Sequence, residues 1–480
     1  MNTKMFIGGK LVEGEGAPIR VDNPADGSEI ATLKGASAAQ AVEALEAARE
    51  AFKTWSRTSV DERIDWMMKF QAEMYKDRDF LIKMDSDETG KPYKNAVGDF
   101  EAGARLLTFY GDEARRVFGT AIPDKSAPDH GVYHVVTHRP RGVVVGHLAW
   151  NYPLANMGLK MGPALASGCT IVLKPSSQTC LASLHYGEIA QRIGLPAGVL
   201  NIVTGKASEV GYALNSSKIP SMITLIGSSE TGVQVMHEGS TSIKNYSLEL
   251  GGNAPVIIMG DCGDELEKIA LNIVATKVSN SGQDCTDYNR IYVHESLYKR
   301  FCELVAEKMD LVTVGRWKDE GQIVMGPMIN RGARDRILDL IKDAQEKGAT
   351  LVKGGEIPAG MEAGNFVTPA LLVDCNDSMR CAKEEIFGPL IAVQPYSDFD
   401  RVLEQAVDTD MGLASYIWGH DARALAKAFE AFQSGDVFFN GASGNAFTPH
   451  VGIKQSGLGC DQSKWSLAEY YVIKRVSMKP

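Results

Sequence analysis

From residue 142 onward the chain alternates short apolar runs with longer amphipathic ones, and this alternation restricts its fold more than any other feature. The runs 143–148, 170–173, 198–203 and 222–226 read as strands, with helices at 155–166, 181–193, 208–214 and 231–238. Strands joined through helices run parallel, and strands this apolar are covered on both faces. A second series starts near Gly252, with strands at 255–259 and 291–293 and a helix over 264–278. Helices at 331–346 and 422–432 then alternate with strands near Leu351 and at 370–373 and 436–439. A chain of 480 residues exceeds one ordinary core, so the expectation is an α/β protein of two parallel-sheet domains.

The remaining segments are placed around that frame. Residues 5–21 read as a hairpin turning at Gly8-Gly9, and 23–27 as a further turn. Ser37 caps a helix running to Trp55, and helices follow at 60–75 and 93–118. The β-branched and aromatic run 132–138, bounded by Gly131 and by Pro140-Arg141-Gly142, reads as a strand that leaves the domain. The tail, 467–478, reads as another strand, able to pair with 132–138 or with another subunit. Residues 142–159 lack Asp, Glu, Lys and Arg, yet they hold His147 and Pro153 and run into Lys160, which suits a buried strand and helix start rather than a membrane span.

Charge and cysteine usage exclude several function classes. Fifty Lys and Arg against 60 Asp and Glu give a net charge of -10 with no basic cluster, which excludes nucleic acid or an anionic membrane as the principal partner. The first 16 residues carry charges where a secretory signal needs an apolar core, so a cytoplasmic location is expected. The eight cysteines show no paired spacing that would build a metal site or a disulfide framework, and reduced thiols are expected.

One of them stands apart. Asn280-Ser281-Gly282-Gln283-Asp284-Cys285 places a thiol on a short polar segment just after a helical run. Taken alone, Cys285 is one small hydrophobe among eight cysteines. The histidine nearest to it in sequence is His294, although any of the nine histidines can approach it in space. Gly227-Ser228-Ser229-Glu230-Thr231-Gly232 follows a strand and opens a helix, where backbone amides and the helix dipole meet a phosphate; on its own it is a plain strand-to-helix turn. Lys174-Pro175-Ser176-Ser177 ends another parallel strand at the sheet edge where ligands bind, and a solvated lysine is the plainer alternative. Glu249 sits in an apolar strand end before Gly251-Gly252, a costly place for a carboxylate unless it is paired or acts as a general base.

Together these segments resemble the aldehyde dehydrogenase superfamily, in its hydrolytic, NAD(P)-dependent form. Trp150-Asn151-Tyr152-Pro153, Lys174-Pro175, the 227–232 loop, Glu249-Leu250-Gly251-Gly252, the 280–285 segment, Glu384-Glu385-Ile386-Phe387-Gly388-Pro389 and Lys454-Gln455-Ser456-Gly457 match its motifs in order. The resemblance implies an aldehyde-dehydrogenase-like fold of two Rossmann-like α/β domains with a small β oligomerisation extension. Residues 1–122 and 142–251 would bind the dinucleotide, 252–456 would form the catalytic domain, and 123–141 with 457–480 would form the extension. It also implies Cys285 as nucleophile, Glu249 as base and Asn151 as oxyanion donor, with no metal. Lys174 and Glu385 would hold the two riboses and Phe387 would lie against the nicotinamide. Trp150, Ser177, Gly227, Ser228, Gly232 and Leu250 would complete the cofactor's surroundings. The implied reaction is oxidation of an aldehyde to its acid with NAD or NADP, and the implied assembly is a homodimer or homotetramer.

Three departures from the family pattern bear on specificity. Ala149 stands where a proline is common, and Ile226 where a threonine is. Ser177 stands where many NAD-specific relatives have a glutamate that repels a 2′-phosphate, so NADP is expected to be accepted. Asn156, Gly158 and Leu159 occupy helix positions that line the aldehyde tunnel in relatives, and Leu159 replaces an arginine of succinic-semialdehyde enzymes. A small polar aldehyde is therefore expected. The alternatives are a narrower amino-aldehyde enzyme, drawn by Asp112 or Asp284, a semialdehyde enzyme, or an acyl transfer to coenzyme A, which Glu249 argues against.

Overall fold

In the computed structural model, which describes residues 1–124 and 132–479, the apolar runs after Gly142 pair in parallel. Strands Leu200–Ile202, Thr170–Lys174, Val143–His147, Met222–Ile226 and Asn245–Glu249 lie side by side in that order. Sequence order runs outward one way from Val143–His147 and then resumes on its other side, so it reverses between Val143–His147 and Met222–Ile226. Open sheets bind ligands outside the carboxyl ends of their strands at such a reversal. Every residue of Val143–His147 is buried, because helices cover both faces. The antiparallel strand Met5–Ile7 closes one side of this sheet, and Gly457–Leu458 pairs antiparallel with Asn245–Glu249 on the other.

A seven-stranded second sheet runs Thr350–Lys353, Ala370–Val373, Leu390–Tyr396, Tyr288–His294, Ala254–Ile258, Ala414–Trp418 and Asp436–Phe439. All its pairings are parallel except that of Thr350–Lys353. Alternate side chains of Ala254–Ile258 serve two cores: Val256 and Ile258 pack with Leu266–Val278 and Glu295–Met309, whereas Ile257 packs with Phe399–Val407. A third, antiparallel sheet joins Thr120–Pro123, Tyr133–Pro140 and Tyr471–Met478. The tail thus pairs with the strand that leaves the domain. The expected bound at Gly131, with the rest of 125–131 and Pro480, lies outside the described residues.

Two expectations need correction, and one element was not expected. The single hairpin over 5–21 is two: Met5–Ile7 pairs with Lys10–Val12 across Gly8-Gly9, while Pro18–Asp22 pairs with Glu29–Lys34. The tail begins as a helix, Ser463–Glu469, because Leu467 shares a buried face with Tyr470 rather than alternating along a strand. A helix at Arg78–Thr89 has no counterpart in the sequence reading. Its buried side includes Asp85, Ser86, Glu88 and Thr89, so the apolar stripe that marks a helix is broken by polar residues.

Candidate active site

Loops leaving the carboxyl edge of the first sheet carry most of the residues of interest. Val143–His147 leads to Trp150 and Asn151, Thr170–Lys174 ends on Lys174 with Ser177 beyond, Met222–Ile226 leads to Gly227, and Asn245–Glu249 ends on Glu249. Facing them is the amino edge of the second sheet, where Cys285 precedes Tyr288–His294 and Asp436 opens its strand.

The cysteine loop is held in an uncommon backbone conformation. Asn280 and Ser281 both have positive φ, 46° and 58°, which costs about 1–3 kcal/mol for each such residue and persists only where the surroundings over-determine it. The restraints are visible. Asn280 donates through Nδ2 to the carbonyls of Asn151 (3.0 Å) and Gln283 (3.2 Å), and Ser281 Oγ donates to the Gly326 carbonyl at 2.8 Å. Gln283 accepts from the Ile329 amide at 2.9 Å and donates to the Asn280 carbonyl at 2.9 Å. Asn151 is buried, and its Nδ2 donates to the Gln283 carbonyl at 3.2 Å, which aims the amide at the loop carrying Cys285. Its own carbonyl also accepts from Lys91 Nζ at 2.8 Å, and fully buried Lys91 is paired with Asp99 at 2.9 Å and Asp85 at 3.5 Å. Sequence reasoning passed over Lys91 because it follows the helix it missed.

Glu249 is 3 % exposed, and among the described residues neither carboxyl oxygen has a hydrogen-bond partner. Burial raises its pKa well above the ordinary carboxyl range, with the charge of His450 acting the other way. His450 Nε2 lies 3.7 Å from Glu249 Oε2, its Nδ1 lies 2.8 Å from Asp436 Oδ2, and the ring stands beside the Cys285 thiol, close enough to favour its ionised form. The histidine at the site is therefore His450, not the sequence neighbour His294, whose Nδ1 lies 2.8 Å from Ser296 Oγ. Burial pushes the Cys285 thiol up to about 11, against the effect of His450. No local sequence signal marks His450, which reaches the cysteine only through the fold.

The neighbouring residues fit a dinucleotide. Lys174 is half-buried at the sheet edge, burial pushes its ammonium down to about 8, and it is bonded to no carboxylate among the described residues, so ribose hydroxyls suit it as acceptors. Ser177 is half-buried on the same loop. Ser228 caps the helix Ser229–Gly239 by accepting from the Thr231 amide at 3.3 Å, which leaves an exposed helix N-terminus for a phosphate. Gly232 is turned inward: a Cβ there would stand 2.8 Å from Leu250 Cδ1, so it lets the helix close onto Leu250. Glu385 accepts from the Gly252 amide at 2.8 Å, and burial raises its pKa to about 7. The Gly251-Gly252 pair permits this approach, since a Cβ at Gly251 would lie 2.7 Å from Glu385 Oε2 and one at Gly252 2.4 Å from the Cys285 carbonyl. Phe387 has φ 50° and meets Trp150 edge-on, with ring centroids 5.5 Å apart.

Beside the cysteine opens a cleft of about 460 Å³, whose walls include Tyr152, Asp284, Thr286, Tyr416 and Phe438. Asp284 accepts from the Tyr152 hydroxyl (2.9 Å), the Thr286 amide (2.8 Å) and the Thr286 hydroxyl (2.7 Å). Among the described residues, no lysine or arginine lines the cleft. Two expected tunnel residues lie elsewhere: a Cβ at Gly158 would meet the Gly103 carbonyl at 2.5 Å, and Asn156 donates to the Ala149 carbonyl at 3.1 Å. Both serve packing within the domain. Asp112 is exposed and pairs with Arg115 at 3.4 Å.

A half-buried thiol, a buried carboxyl and a side-chain amide are gathered at the edge of a dinucleotide-type sheet, an arrangement suited to an oxidoreductase. The chain belongs to the aldehyde dehydrogenase family, whose profile matches residues 11–476. It is 37 % identical over 471 residues to a glutarate-semialdehyde dehydrogenase of Pseudomonas putida, covering 98 % of this chain and 96 % of that one. It is 36 % identical over 480 residues to an NADP(+) succinate-semialdehyde dehydrogenase of Escherichia coli, covering 98 % of each chain. The crystal structure of an NADP-dependent enzyme from E. coli superposes with a TM-score of 0.96 at 36 % identity, covering 100 % of this chain and 98 % of that one. The protein is an NAD(P)-dependent enzyme that oxidises an aldehyde to its carboxylic acid.

Proposed function

We propose that Cys285 is the nucleophile, Asn151 the oxyanion donor and Glu249 the base that activates the hydrolytic water. The observation that carries this reading is their convergence: Asn151 reaches the cysteine loop at 3.2 Å, and His450 lies against both Glu249 and Cys285. The Cys285 sulfur adds to the aldehyde carbon, and the oxyanion of the thiohemiacetal is held by the Asn151 amide and a backbone amide. The bound dinucleotide supplies the hydride acceptor. Glu249 then takes a proton from water, which cleaves the thioester to the acid; a carboxyl group raised by burial is suited to act as a base near neutral pH. The presence of Glu249 favours hydrolysis over transfer to coenzyme A. Lys174, Ser177, Gly227, Ser228, Leu250, Glu385, Phe387 and Trp150 hold the cofactor, with Gly232 setting the helix against Leu250. On this reading 1–122 with 142–251 bind the dinucleotide and 252–456 carry the nucleophile.

The substrate is a small polar aldehyde. Hydroxyl groups and Asp284 on the cleft wall, without a basic side chain among its described lining, favour a neutral hydroxylated aldehyde. Asp284 also favours an amino-aldehyde as a second reading. A panel of hydroxyaldehydes, aminoaldehydes and carboxylate semialdehydes, each assayed with both cofactors, tests these points. The uncharged or cationic members are expected to give the highest kcat/KM, and NADP to exceed NAD by about ten-fold, because Ser177 offers no charge to repel the 2′-phosphate. A best rate with a carboxylate semialdehyde overturns the substrate reading, and a strong NAD preference overturns the role of Ser177.

The assembly is a homodimer or homotetramer formed through the three-stranded sheet. Tyr471–Met478 is one of its two edges, and Ile473 there is 73 % exposed. Sedimentation equilibrium is expected to give a dimer or tetramer, and a monomer at micromolar concentration counts against it. Eight free thiols suit a reducing, cytoplasmic setting.

A further inference from the structure

Glu249 is engaged with water in the reading above, which leaves unassigned the group that removes the proton from Cys285. We propose that His450, oriented by Asp436, is that group, so that Cys285, His450 and Asp436 form a Cys-His-Asp relay separate from the hydrolytic base. The proposal rests on the reading of Cys285 as nucleophile. Asp436 Oδ2 lies 2.8 Å from Nδ1, so the carboxylate fixes the tautomer with hydrogen on Nδ1 and leaves Nε2, which lies 3.7 Å from Glu249 Oε2, as the basic nitrogen on the side of the site that holds Glu249 and Cys285. His450 is itself held by two backbone bonds to Asp461, each 2.9 Å, across an isolated antiparallel bridge. These restraints aim the ring; a histidine turned here merely for packing would not need a carboxylate behind it.

The step balances without a redox partner. The Cys285 S–H bond breaks, an N–H bond forms at His450 Nε2, and the electron pair stays on sulfur as a thiolate paired with an imidazolium. The groups around the ring come from four segments: Asp436, Glu249, Cys285, and Asp461 with its partner Lys160 at 2.7 Å. Lys160 neutralises Asp461, which leaves Asp436 and Glu249 as the carboxyl groups facing His450. Burial works against charge on the ring, but the bond to Asp436 and the proximity of Cys285 and Glu249 raise its proton affinity well above the ordinary histidine value. Burial is the largest influence on the Cys285 thiol, and His450 is the group that works against it.

Alkylation of the full-length protein by iodoacetamide, without aldehyde or cofactor, reads the thiolate directly when the Cys285 peptide is followed by mass spectrometry from pH 5 to 10. The wild type is expected to show a shoulder of reactivity well below pH 9. In His450→Gln the shoulder disappears, the rate climbs about ten-fold per pH unit, and at pH 7 it falls at least about ten-fold. Asp436→Asn, with the ring retained, is expected to fall between them. Superimposable profiles for wild type and His450→Gln overturn the relay. Should the glutamine variant fail to fold by circular dichroism, the wild type decides alone: a ten-fold climb per unit with no shoulder below pH 9 overturns it equally. Turnover retained by Cys285→Ser separates the two readings, because it would refute the nucleophile while saying nothing against the alkylation profile of the wild type.

Discussion

Cys285→Ser is expected to lower aldehyde oxidation by roughly 10⁴-fold or more, with the fold and cofactor binding preserved. Serine is nearly the same size, so the 280–285 loop keeps its bonds from Asn280, Ser281 and Gln283. What changes is the nucleophile: a hydroxyl does not ionise in the range where a thiol beside a histidine does, and an ester would replace the thioester. Reduced-cofactor formation at 340 nm with saturating aldehyde measures the loss, and equilibrium binding of NADP by fluorescence checks that the site remains. Retention of a tenth of the wild-type rate would remove Cys285 from the chemistry.

Glu249→Gln is expected to separate the two halves of the reaction. The amide cannot accept a proton from water, yet the thiol, Asn151 and the cofactor residues are unchanged. Stopped-flow mixing should therefore show a burst of about one equivalent of reduced cofactor per site, followed by a steady state lower by about 10²–10⁴-fold. Burial should make the change easy to accommodate, since the carboxyl oxygens form no hydrogen bond among the described residues and a neutral amide avoids the cost of an unpaired charge. In the wild type the acid-forming step should gain rate as pH rises, because burial raises the Glu249 pKa and the base must lose its proton to act. Unchanged steady-state acid formation in the variant would assign the water to another base.

Much of the frame was legible before any coordinates. Val143–His147, Met222–Ile226 and the helices beside them are local patterns, in which burial on both faces makes apolar runs and the crossovers make them parallel. The motif residues Asn151, Glu249 and Cys285 were legible as segments. The helix Arg78–Thr89 was not, because its buried face is polar. Lys91 and the Asp85 and Asp99 carboxylates around it were missed for the same reason: a buried ion cluster resembles a solvated helix until its partners are known. Asn156 and Gly158 were misplaced because helix position does not say which neighbour a face meets; here Gly158 meets Gly103 and Asn156 meets the Ala149 carbonyl.

The sequence by itself determined the class of the protein: the alternation of strand and helix, the order of its motifs, and the residue types able to add to a carbonyl and activate water. Tertiary structure alone decided what surrounds the thiol. His450 lies 165 positions after Cys285, and Asp436 and Glu249 come from two different sheets. Nothing local couples them, because a proton relay depends on distances of about 3 Å between side chains, and only the packing of one sheet's carboxyl edge against the other's amino edge sets those distances.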